Sequence, residues 1–325
     1  MNGIRSDGVA SDSGISRPQV RVSGLAEVDE VAGARAIFTQ WMTIGLAAAA
    51  ALGFGEWWSY LLAIVVIATR QHALLVLMHD GAHRLLARHR FFNDLASDLF
   101  LAFPLFVSTS LYRSHHFRHH RFLNSDADPD VADSREAYSK SGWLLIFLAD
   151  AGGRSFWKVF RSGSNFSMLN YLTGGTEIRR LVPVWQFVAF VVMWVGLGAV
   201  LTIVHGWSAF LLLWIVPMFT VLGLILHVRA VAEHAGCDPV PTIAGTRTVI
   251  PGTVERLLFA PVNVNYHLAH HLFPGVPATK LARLHARLCE DASFRRSAQV
   301  TKGYFLGQTN VLAEVARHGA DSGDR

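Results

Sequence analysis

Sixteen histidines are distributed unevenly along this chain of 325 residues. Eight of them fall in three clusters, HDGAH at 79–83, HFRHH at 116–120 and HLAHH at 267–271, and a ninth lies in EHAG at 233–236. Two copies of the pattern HxxHH should arise by chance in only about one such chain in a thousand. The clusters therefore indicate a shared chemical purpose for the imidazole rings.

Metal binding is the chemistry that this pattern favours. Side chains three and four positions apart share a face of a helix, so the rings of each cluster are expected to converge on one point. Neutral imidazole binds zinc, copper, iron and nickel. Eight or nine ligands exceed the three or four that one zinc takes, and two metals with open coordination positions fit the number better. The ligand number thus favours iron, the metal suited to O2 chemistry, over zinc.

Several polar residues lie next to the clusters and have two interpretations each. Asp80 and Glu233 either accept the second ring N–H of a histidine or are solvated carboxylates. His115, directly before HFRHH, either binds a metal ligand without contacting the metal itself or has no role at the site. Asn265, shortly before HLAHH, either orients a metal-bound water or caps the following helix. The stretch DADPD at 126–130 is predicted to be a turn.

The composition indicates a membrane protein. Hydrophobic residues make up 51% and charged residues 16%, whereas soluble domains carry about 25% charged residues. The mean hydropathy is +0.31. The net charge is +5, but no run of basic residues with interleaved aromatics is present, so no nucleic-acid partner is expected. The two cysteines form no CxxC pair, which argues against zinc ribbons and iron–sulfur clusters.

Four segments are apolar over about the 20 residues that a bilayer requires, near 37–54, 57–78, 182–204 and 208–226. Short connectors, GFGE at 53–56 and HGWS at 205–208, predict two helical hairpins. Neither connector contains lysine or arginine, whereas the amino-terminal tail, the stretch 84–180 and the carboxyl-terminal region do. By the positive-inside rule, both termini and the long middle segment are predicted to be cytoplasmic.

The predicted organisation is a disordered tail at 1–24, a membrane domain at 25–310 and a carboxyl-terminal tail at 311–325. The polar residues Arg70, Gln71 and His72 interrupt the second span, so its last turns are expected to leave the hydrocarbon. The stretch 98–107 is too short to cross, and is expected to form either an interfacial or re-entrant helix or the core of a cytoplasmic cap. The stretch 143–160 is predicted to be an amphipathic surface helix.

HDGAH, HFRHH followed by DPD, and NYHLAHHLFPGVP resemble the three histidine boxes of the membrane fatty acid desaturase superfamily, over about residues 36–310. That group also includes membrane hydroxylases, carotenoid ketolases and alkane monooxygenases. The resemblance implies an all-α membrane protein with four spans, a cytoplasmic helical cap and a non-haem di-iron site. His234 looks like an extra histidine at the end of the fourth span. The ligands implied by the resemblance are His79, His83, His116, His119, His120, His234, His267, His270 and His271.

The implied activity is an O2-dependent oxidation in the cytoplasmic membrane. Desaturation of a lipid-linked fatty acyl chain is favoured; hydroxylation or ketolation, or desaturation of a carotenoid or smaller metabolite, are the alternatives. Electrons must come from an external donor of the ferredoxin type or the cytochrome b5 type with its reductase, because no flavin, haem or iron–sulfur signature is present. A metal transporter is disfavoured, since transport sites lie near the bilayer midplane and these clusters lie at span ends.

Overall fold

The computed structural model describes residues 18, 20–130, 148–154, 166–237, 243–307 and 309–321, and most of these residues are helical. Four helical segments in the described ranges are long and apolar enough to cross a membrane. The prediction of four spans is confirmed, although the second and fourth extend well past residues 78 and 226. The segments are Glu30–Phe54, Trp57–Ala82, Val184–Ile203 and Trp207–His234.

The first two spans are single helices with clear local signals at the turn between them. α1 (Glu30–Phe54) begins after Asp29, whose carboxylate accepts the N–H of Ala32 at 2.9 Å. It ends at Gly55, whose φ of +68° is a left-handed conformation that glycine adopts freely. α2 (Trp57–Ala82) begins two residues later and packs against α1.

α2 is the most buried of the four spans, and its polar residues face protein. Gln71 donates to the carbonyl of Trp214 at 2.8 Å, and Arg70 donates to the side chain of Gln40 at 3.1 Å. These two hydrogen bonds hold Arg70 and Gln71 against neighbouring helices, and the helix continues through them to Ala82. Among the described residues, Oε1 of Gln71 and both ring nitrogens of His72 are buried without a hydrogen-bond partner. The polar triplet therefore lies inside one continuous helix, and the expectation that the last turns of this helix leave the hydrocarbon stays a prediction.

The first and third spans present apolar side chains outward. Phe38 and Leu46 on α1 are each 65% exposed, and Val195 on the third span is 67% exposed. Apolar surface of this extent is what a lipid environment covers. These helices therefore form the outer, lipid-facing part of the bundle.

Shorter elements connect the spans. The stretch predicted to be too short to cross forms π- and 3-10-helical turns, and Leu101 and Phe103 within it are fully buried. Most of the surface helix predicted at 143–160 lies outside the described residues. The elements in this part of the chain are α3 (Arg90–Ser97), a π turn (Asp98–Ala102), a 3-10 turn (Phe103–Leu105), α4 (Thr109–Phe122), α5 (Asn170–Thr173), α6 (Gly175–Leu181) and α7 (Val184–Ile203).

The fourth span is a series of helical segments, and its helix is broken at Thr220, which follows Pro217 and has φ −116° and ψ −87°. Its segments are α8 (Trp207–Phe210), a π turn (Leu211–Ile215), α9 (Val216–Phe219) and α10 (Val221–His234). A proline removes one backbone donor from the helix and commonly bends it.

The carboxyl-terminal region contains a small parallel sheet, an exception to the all-α prediction. β1 (Arg247–Val249) pairs with β2 (Gln299–Thr301) in the register Thr248 to Val300. The other elements are α11 (Thr253–Phe259), a 3-10 turn (Pro261–Asn263), α12 (His267–Leu272), a 3-10 turn (Ala278–Lys280), α13 (Leu281–Leu288), α14 (Ala292–Ser297) and α15 (Val311–Asp321).

Both segments predicted to be tails contain residues packed on the rest of the chain. Lys280 donates to the carbonyl of Gly24 at 3.5 Å, and Arg287 donates to the carbonyl of Arg21 at 3.0 Å. At the other end, α15 buries Val311 and Val315. Residues 1–17 and 19, for which disorder is predicted, lie outside the described residues.

Candidate metal centre

Nine histidines come together at one end of the four-helix bundle, and four helices supply them. α2 carries His79 near its end, and His83 directly follows that helix; α4, α10 and α12 supply the others. Ser108 caps α4, since its hydroxyl accepts the N–H of Leu111 at 3.3 Å, and the helix thus starts about two turns before HFRHH. These helices thus present HDGAH, HFRHH, His234 and HLAHH to one another.

The rings form two groups, within each of which one nitrogen per ring lies within 4.8 Å of the others. The first histidine group contains His79, His83, His116, His120 and His270. The second histidine group contains His119, His234, His267 and His271. The groups touch, because the rings of His120 and His271 stack with their centroids 4.3 Å apart. The nine histidines singled out from sequence are therefore all in these two groups.

Each HxxHH box divides its rings between the two groups. In the second box, His116 and His120 are four apart and join the first group, whereas His119 faces the second. The third box does the reverse, since only His270 joins the first group. The expectation that the rings of one box converge on a single point was wrong, because adjacent helix positions differ in direction by about 100°.

The contacts between ring nitrogens fit a metal better than hydrogen bonding. His116 Nε2 lies 3.0 Å from His83 Nε2 and 2.8 Å from His120 Nε2. An imidazole nitrogen carries either one hydrogen or one lone pair, so it cannot make two good hydrogen bonds at once. Two nitrogens that bind one metal at about 2.1 Å and at right angles lie about 3.0 Å apart. The donor set therefore matches a metal at the centre of each group.

Burial keeps most of these rings in the neutral form that binds metals. It lowers the pKa of His83 to about 3, and lowers the pKa of His120 and His270 well below the usual range. Neighbouring histidines lower the pKa of His120 and His270 further. Because a protonated imidazole has no lone pair for a metal, these shifts favour metal binding at neutral pH.

His119 has acidic partners that sequence reasoning missed. Its Nδ1–H donates to Asp128, with the two carboxylate oxygens at 2.9 and 3.1 Å. Burial alone would lower the pKa of His119, but the Asp128 hydrogen bond and the negative charge of Asp130 raise it. This arrangement leaves Nε2 of His119 for the second group and makes the ring a stronger ligand. DADPD does form a turn, and Asp128 is its buried residue, whereas Asp126 is exposed. The position of the turn just after HFRHH was the available signal.

His115 belongs to neither group but is connected to the second one. Its Nε2 lies 2.6 Å from one oxygen of Asp130, and the other oxygen of Asp130 lies 3.5 Å from Nδ1 of His119. Asp130 thus links His115 to a candidate ligand. A supporting position is the interpretation that this contact favours for His115.

The other three supporting candidates are Asp80, Glu233 and Asn265. Asp80 and Asn265 bind backbone groups, and Glu233 binds an arginine. Asp80 is buried and accepts the N–H of Ala278 at 2.9 Å, whereas its nearest oxygen is 3.9 Å from the adjacent ring of His79. Asp80 therefore ties α2 to the turn after HLAHH. Glu233 is also buried, and accepts from Arg229 at 2.6 Å. Neither carboxylate is solvated.

Asn265 does not cap the helix that follows it. Its Nδ2 donates to the carbonyl of Val249 at 2.8 Å, and its own carbonyl accepts the Val249 N–H at 3.0 Å. The side chain of Asn265 thus fastens the start of the HLAHH segment to β1. Its Oδ1 has no hydrogen-bond partner in the described part of the chain.

A cavity of about 220 Å³ opens onto both histidine groups. His116 of the first group lines it, as do His119, His234 and His267 of the second. The rest of its described wall is part apolar and part polar: Tyr112, His115, Asp130, Phe166, Leu226, Arg229, Ala230 and Glu233. A substrate in this cavity would therefore contact ligands of both candidate metals.

Four apolar spans with paired histidine groups at one end define a membrane metalloenzyme. The family model described as fatty acid desaturase matches residues 55–301, so the chain belongs to the fatty acid desaturase family. This assignment confirms the resemblance found in the histidine boxes. The protein is an integral membrane oxidoreductase of the desaturase type, from a family whose members depend on iron and use O2 and lipid substrates.

Curated relatives are similar along most of the chain. A dihydrorhizobitoxine desaturase of Bradyrhizobium elkanii is 28% identical over 80% of this chain and 77% of its own length. An sn-1 oleoyl-lipid 12-desaturase of Anabaena variabilis is 24% identical over 74% and 71%. A ceramide hydroxylase of Caulobacter vibrioides is 32% identical, but only over 23% of this chain and 22% of its own. These identities support the reaction type and leave the substrate open.

Proposed function

We propose that this protein is an O2-dependent di-iron desaturase that introduces a carbon–carbon double bond into a lipid-linked fatty acyl chain. One observation carries the proposal: nine imidazoles form two touching groups that line a shared cavity. A redox reaction that uses two metals together requires this proximity, whereas two structural metal sites do not.

Iron is the metal that the donor set and the family favour. Five and four imidazoles, without a thiolate among the described candidate ligands, suit iron, which has a higher coordination number than structural zinc. When bound, iron activates O2 to break an unactivated C–H bond. The residues proposed to hold two irons are His79, His83, His116, His120 and His270 for one, and His119, His234, His267 and His271 for the other.

The proposed reaction balances with an external source of electrons. The substrate loses one hydrogen from each of two adjacent carbons and gains a C=C bond. O2 takes up those two hydrogens together with two electrons and two protons, and two molecules of water form. We propose a ferredoxin-type donor, or a cytochrome b5-type donor with its reductase, as the source of the electrons.

The chain's own residues would position the reactants. Phe166, Leu226 and Ala230 form an apolar wall against which the acyl chain packs, which also limits water at the reacting carbons. Asp128 holds the ring of His119 with its Nε2 toward the second group. Asp80 and Asn265 fix the third box relative to α2 and β1. Together these contacts would fix both metals relative to the cavity.

We further propose two helical hairpins in the membrane, with a cytoplasmic cap formed by the regions between and after them. α2 has 26 residues, and a helix of that length extends about 39 Å, beyond the roughly 30 Å of hydrocarbon. Its last turn, with His79, would then stand above the membrane. The absence of lysine and arginine from both connectors supports cytoplasmic termini, and the inner membrane is the proposed location.

Hydroxylation is the second candidate, favoured by the similarity to the ceramide hydroxylase. In that reaction one oxygen atom enters the C–H bond and the other leaves as water, with the same two electrons and two protons. The two outcomes differ in whether the substrate radical loses a second hydrogen or recombines with oxygen, which depends on small differences in substrate position.

The test is a product analysis with the complete protein. The purified chain in lipid nanodiscs, loaded with iron and supplied with O2 and a reducing system, is given phospholipids with saturated acyl chains. Mass spectrometry should detect acyl chains lacking two hydrogens, and ozonolysis should locate a double bond. The His119→Ala variant should form none. A hydroxylated or keto product without any alkene would establish the oxygenase instead.

A further inference from the structure

Tyr112 and Arg229 line the shared cavity, and each has a hydrogen-bond donor with no acceptor among the described residues. Tyr112 lies flat against His116, with ring centroids 5.3 Å apart and an angle of 9° between the rings. Arg229 uses its Nε to bind Glu233 at 2.6 Å. Across the described ranges, neither the Tyr112 hydroxyl nor the terminal nitrogens of Arg229 make a hydrogen bond, and both residues line the cavity.

Hydrogen-bond donors that are shielded from water and lack an acceptor reduce the stability of the folded protein, so these two donors favour binding of an acceptor. The side chain of Arg229 is only 15% exposed, and a guanidinium kept from bulk water loses solvation that an acceptor must replace. Its planar fork of N–H groups matches a carboxylate or carbonyl oxygen. The Tyr112 hydroxyl also donates. The two residues therefore provide a place for an oxygen-bearing group.

This place is adjacent to both histidine groups. One oxygen of Glu233 lies 2.6 Å from Nε of Arg229 and 3.6 Å from Nδ1 of His267, in the second group. Tyr112 stacks on a ring of the first group. An oxygen atom bound here would therefore lie near the point where the C–H bonds break.

The size of the cavity agrees with a site for one end of a substrate. Its volume is about 220 Å³, below the range of about 300–1,000 Å³ that is common for pockets enclosing a whole small molecule. A carboxylate, ester or amide with a few adjoining carbons matches such a space better than a complete long chain does.

We propose that Tyr112 and Arg229 bind the oxygen-bearing end of the substrate, a carboxylate or an ester or amide carbonyl. The protein then oxidises carbons only a few bonds from that end. This inference rests on the proposed desaturase function and predicts where along the chain the double bond forms. A free acid and a lipid-linked acyl group share this chemistry, and the experiment distinguishes them.

The first part of the test compares chain lengths. Saturated free acids and the corresponding phospholipid esters, each with chains of different length, are converted by the wild-type protein, and the double bond is located by ozonolysis. The bond should keep a constant distance from the oxygen-bearing end in whichever of the two classes is accepted. A constant distance from the methyl end would overturn the inference while leaving the desaturase function intact.

The second part removes the donors. In the Tyr112→Phe and Arg229→Gln variants, KM for the accepted substrate should rise about tenfold, the cost of a hydrogen bond to a charged or polar group in a shielded site. The Tyr171→Phe variant is the matched control, because the Tyr171 ring stacks on Phe187 at 4.3 Å and does not line this cavity. Unchanged KM and bond position in both variants would contradict the inference.

A binding measurement separates this inference from the proposed reaction. Iron-loaded protein is titrated under argon with a saturated acid and with its phospholipid ester, and binding is followed by calorimetry. Tyr112→Phe should weaken binding of the accepted class about tenfold, with iron content equal to that of the wild type. If the wild type bound in this way but formed no alkene with electrons and O2, only the desaturase proposal would fail. Equal affinity in Tyr112→Phe and the wild type would refute the inference, even if alkene formed.

Discussion

Asp128 and His119 show how one hydrogen bond selects the ring nitrogen that a histidine offers to a metal. The Nδ1 atom of His119 is occupied by Asp128, so Nε2 is the atom left for a metal. The bond also fixes the plane of the ring. Burial alone would raise the pKa of Asp128, but the His119 hydrogen bond and positive charge lower it, so this carboxylate stays ionised at neutral pH.

Asp128→Asn is predicted to weaken metal binding by the second histidine group. An amide is a poorer partner for the Nδ1–H and leaves the ring less well held, and losses of about 10–100-fold in metal affinity follow from such changes. Metal analysis after dialysis against a chelator should show that this variant retains less iron than the wild type. Asp126→Asn, at an exposed position in the same turn, is the control. Equal retention in both variants would contradict the assigned role of Asp128.

His234→Ala is predicted to lose iron to a degree similar to His119→Ala. His234 is one of four rings in its group, and its Nε2 lies 3.1 Å from that of His267. Iron should fall from about two per chain toward about one, because three remaining imidazoles hold that metal less tightly. His205→Ala, in the turn before the fourth span, should match the wild type. If His234→Ala also did so, His234 would not be a ligand.

Sequence alone could identify the histidines but not their division into groups. The division depends on how α4 and α12 are rotated against each other, and that rotation is set by packing across the whole bundle. The importance of Asp128 was hidden for a related reason: burial distinguishes it from an ordinary turn aspartate, and burial comes from distant parts of the chain. His234 was found because its EHAG context resembles the family.

At the scale of elements, Arg113 joins α2 and α4, which carry three of the five rings of the first group; His83, directly after α2, is a fourth. From α4, it donates to the carbonyls of Ala82 and Gly81 at 2.8 and 3.0 Å, at the carboxyl end of α2. Asp94 on α3 pairs with the same guanidinium. Arg113 therefore binds two carbonyls at the end of α2 and holds α2 and α4 in a fixed relation.

Arg113→Gln is predicted to lower both stability and iron content. The loss of several hydrogen bonds from a charged group should reduce the free energy of unfolding by about 1.5–3 kcal/mol. The first histidine group should lose iron preferentially, because α2 and α4 would no longer be held together. Thermal denaturation in detergent and metal analysis measure the two effects. Arg118→Gln, an exposed arginine on the same helix, should change neither; a similar loss there would rule out a specific role for Arg113.

The membrane spans were predictable as elements because length and hydropathy are local properties. Their ends were less so, because α2 continues to Ala82 and the fourth span to His234, past the predicted ends at 78 and 226. The protein partners of the polar residues in α2, such as Gln40 for Arg70 and Trp214 for Gln71, also cannot be found from a hydropathy profile. Likewise, residues 311–325 were predicted to be a tail, and the sequence does not show that Val311 and Val315 of α15 are buried against other parts of the chain. The small parallel sheet joins strands about fifty residues apart and has no local signal at all.

At the scale of the whole molecule, the proposed topology makes a prediction for reporter fusions. Fusions at Phe54 and at His205 should report the far side of the membrane, because both positions lie in connectors without lysine or arginine. Fusions after Arg84 and at the carboxyl terminus should report the cytoplasmic side. The reverse pattern would place the histidine groups outside the cytoplasm and would exclude the proposed electron donors.

Protein chains are synthesised from the amino terminus, and His79 and His270, whose ring nitrogens lie 3.0 Å apart, are separated by 191 residues. While the ribosome is still making the third span, the second histidine group consists of His119 alone. Neither group is complete until residues 270 and 271 have left the ribosomal tunnel, after all four spans have been translated. The metals proposed for these groups would therefore enter only after the residues of all four spans have been synthesised.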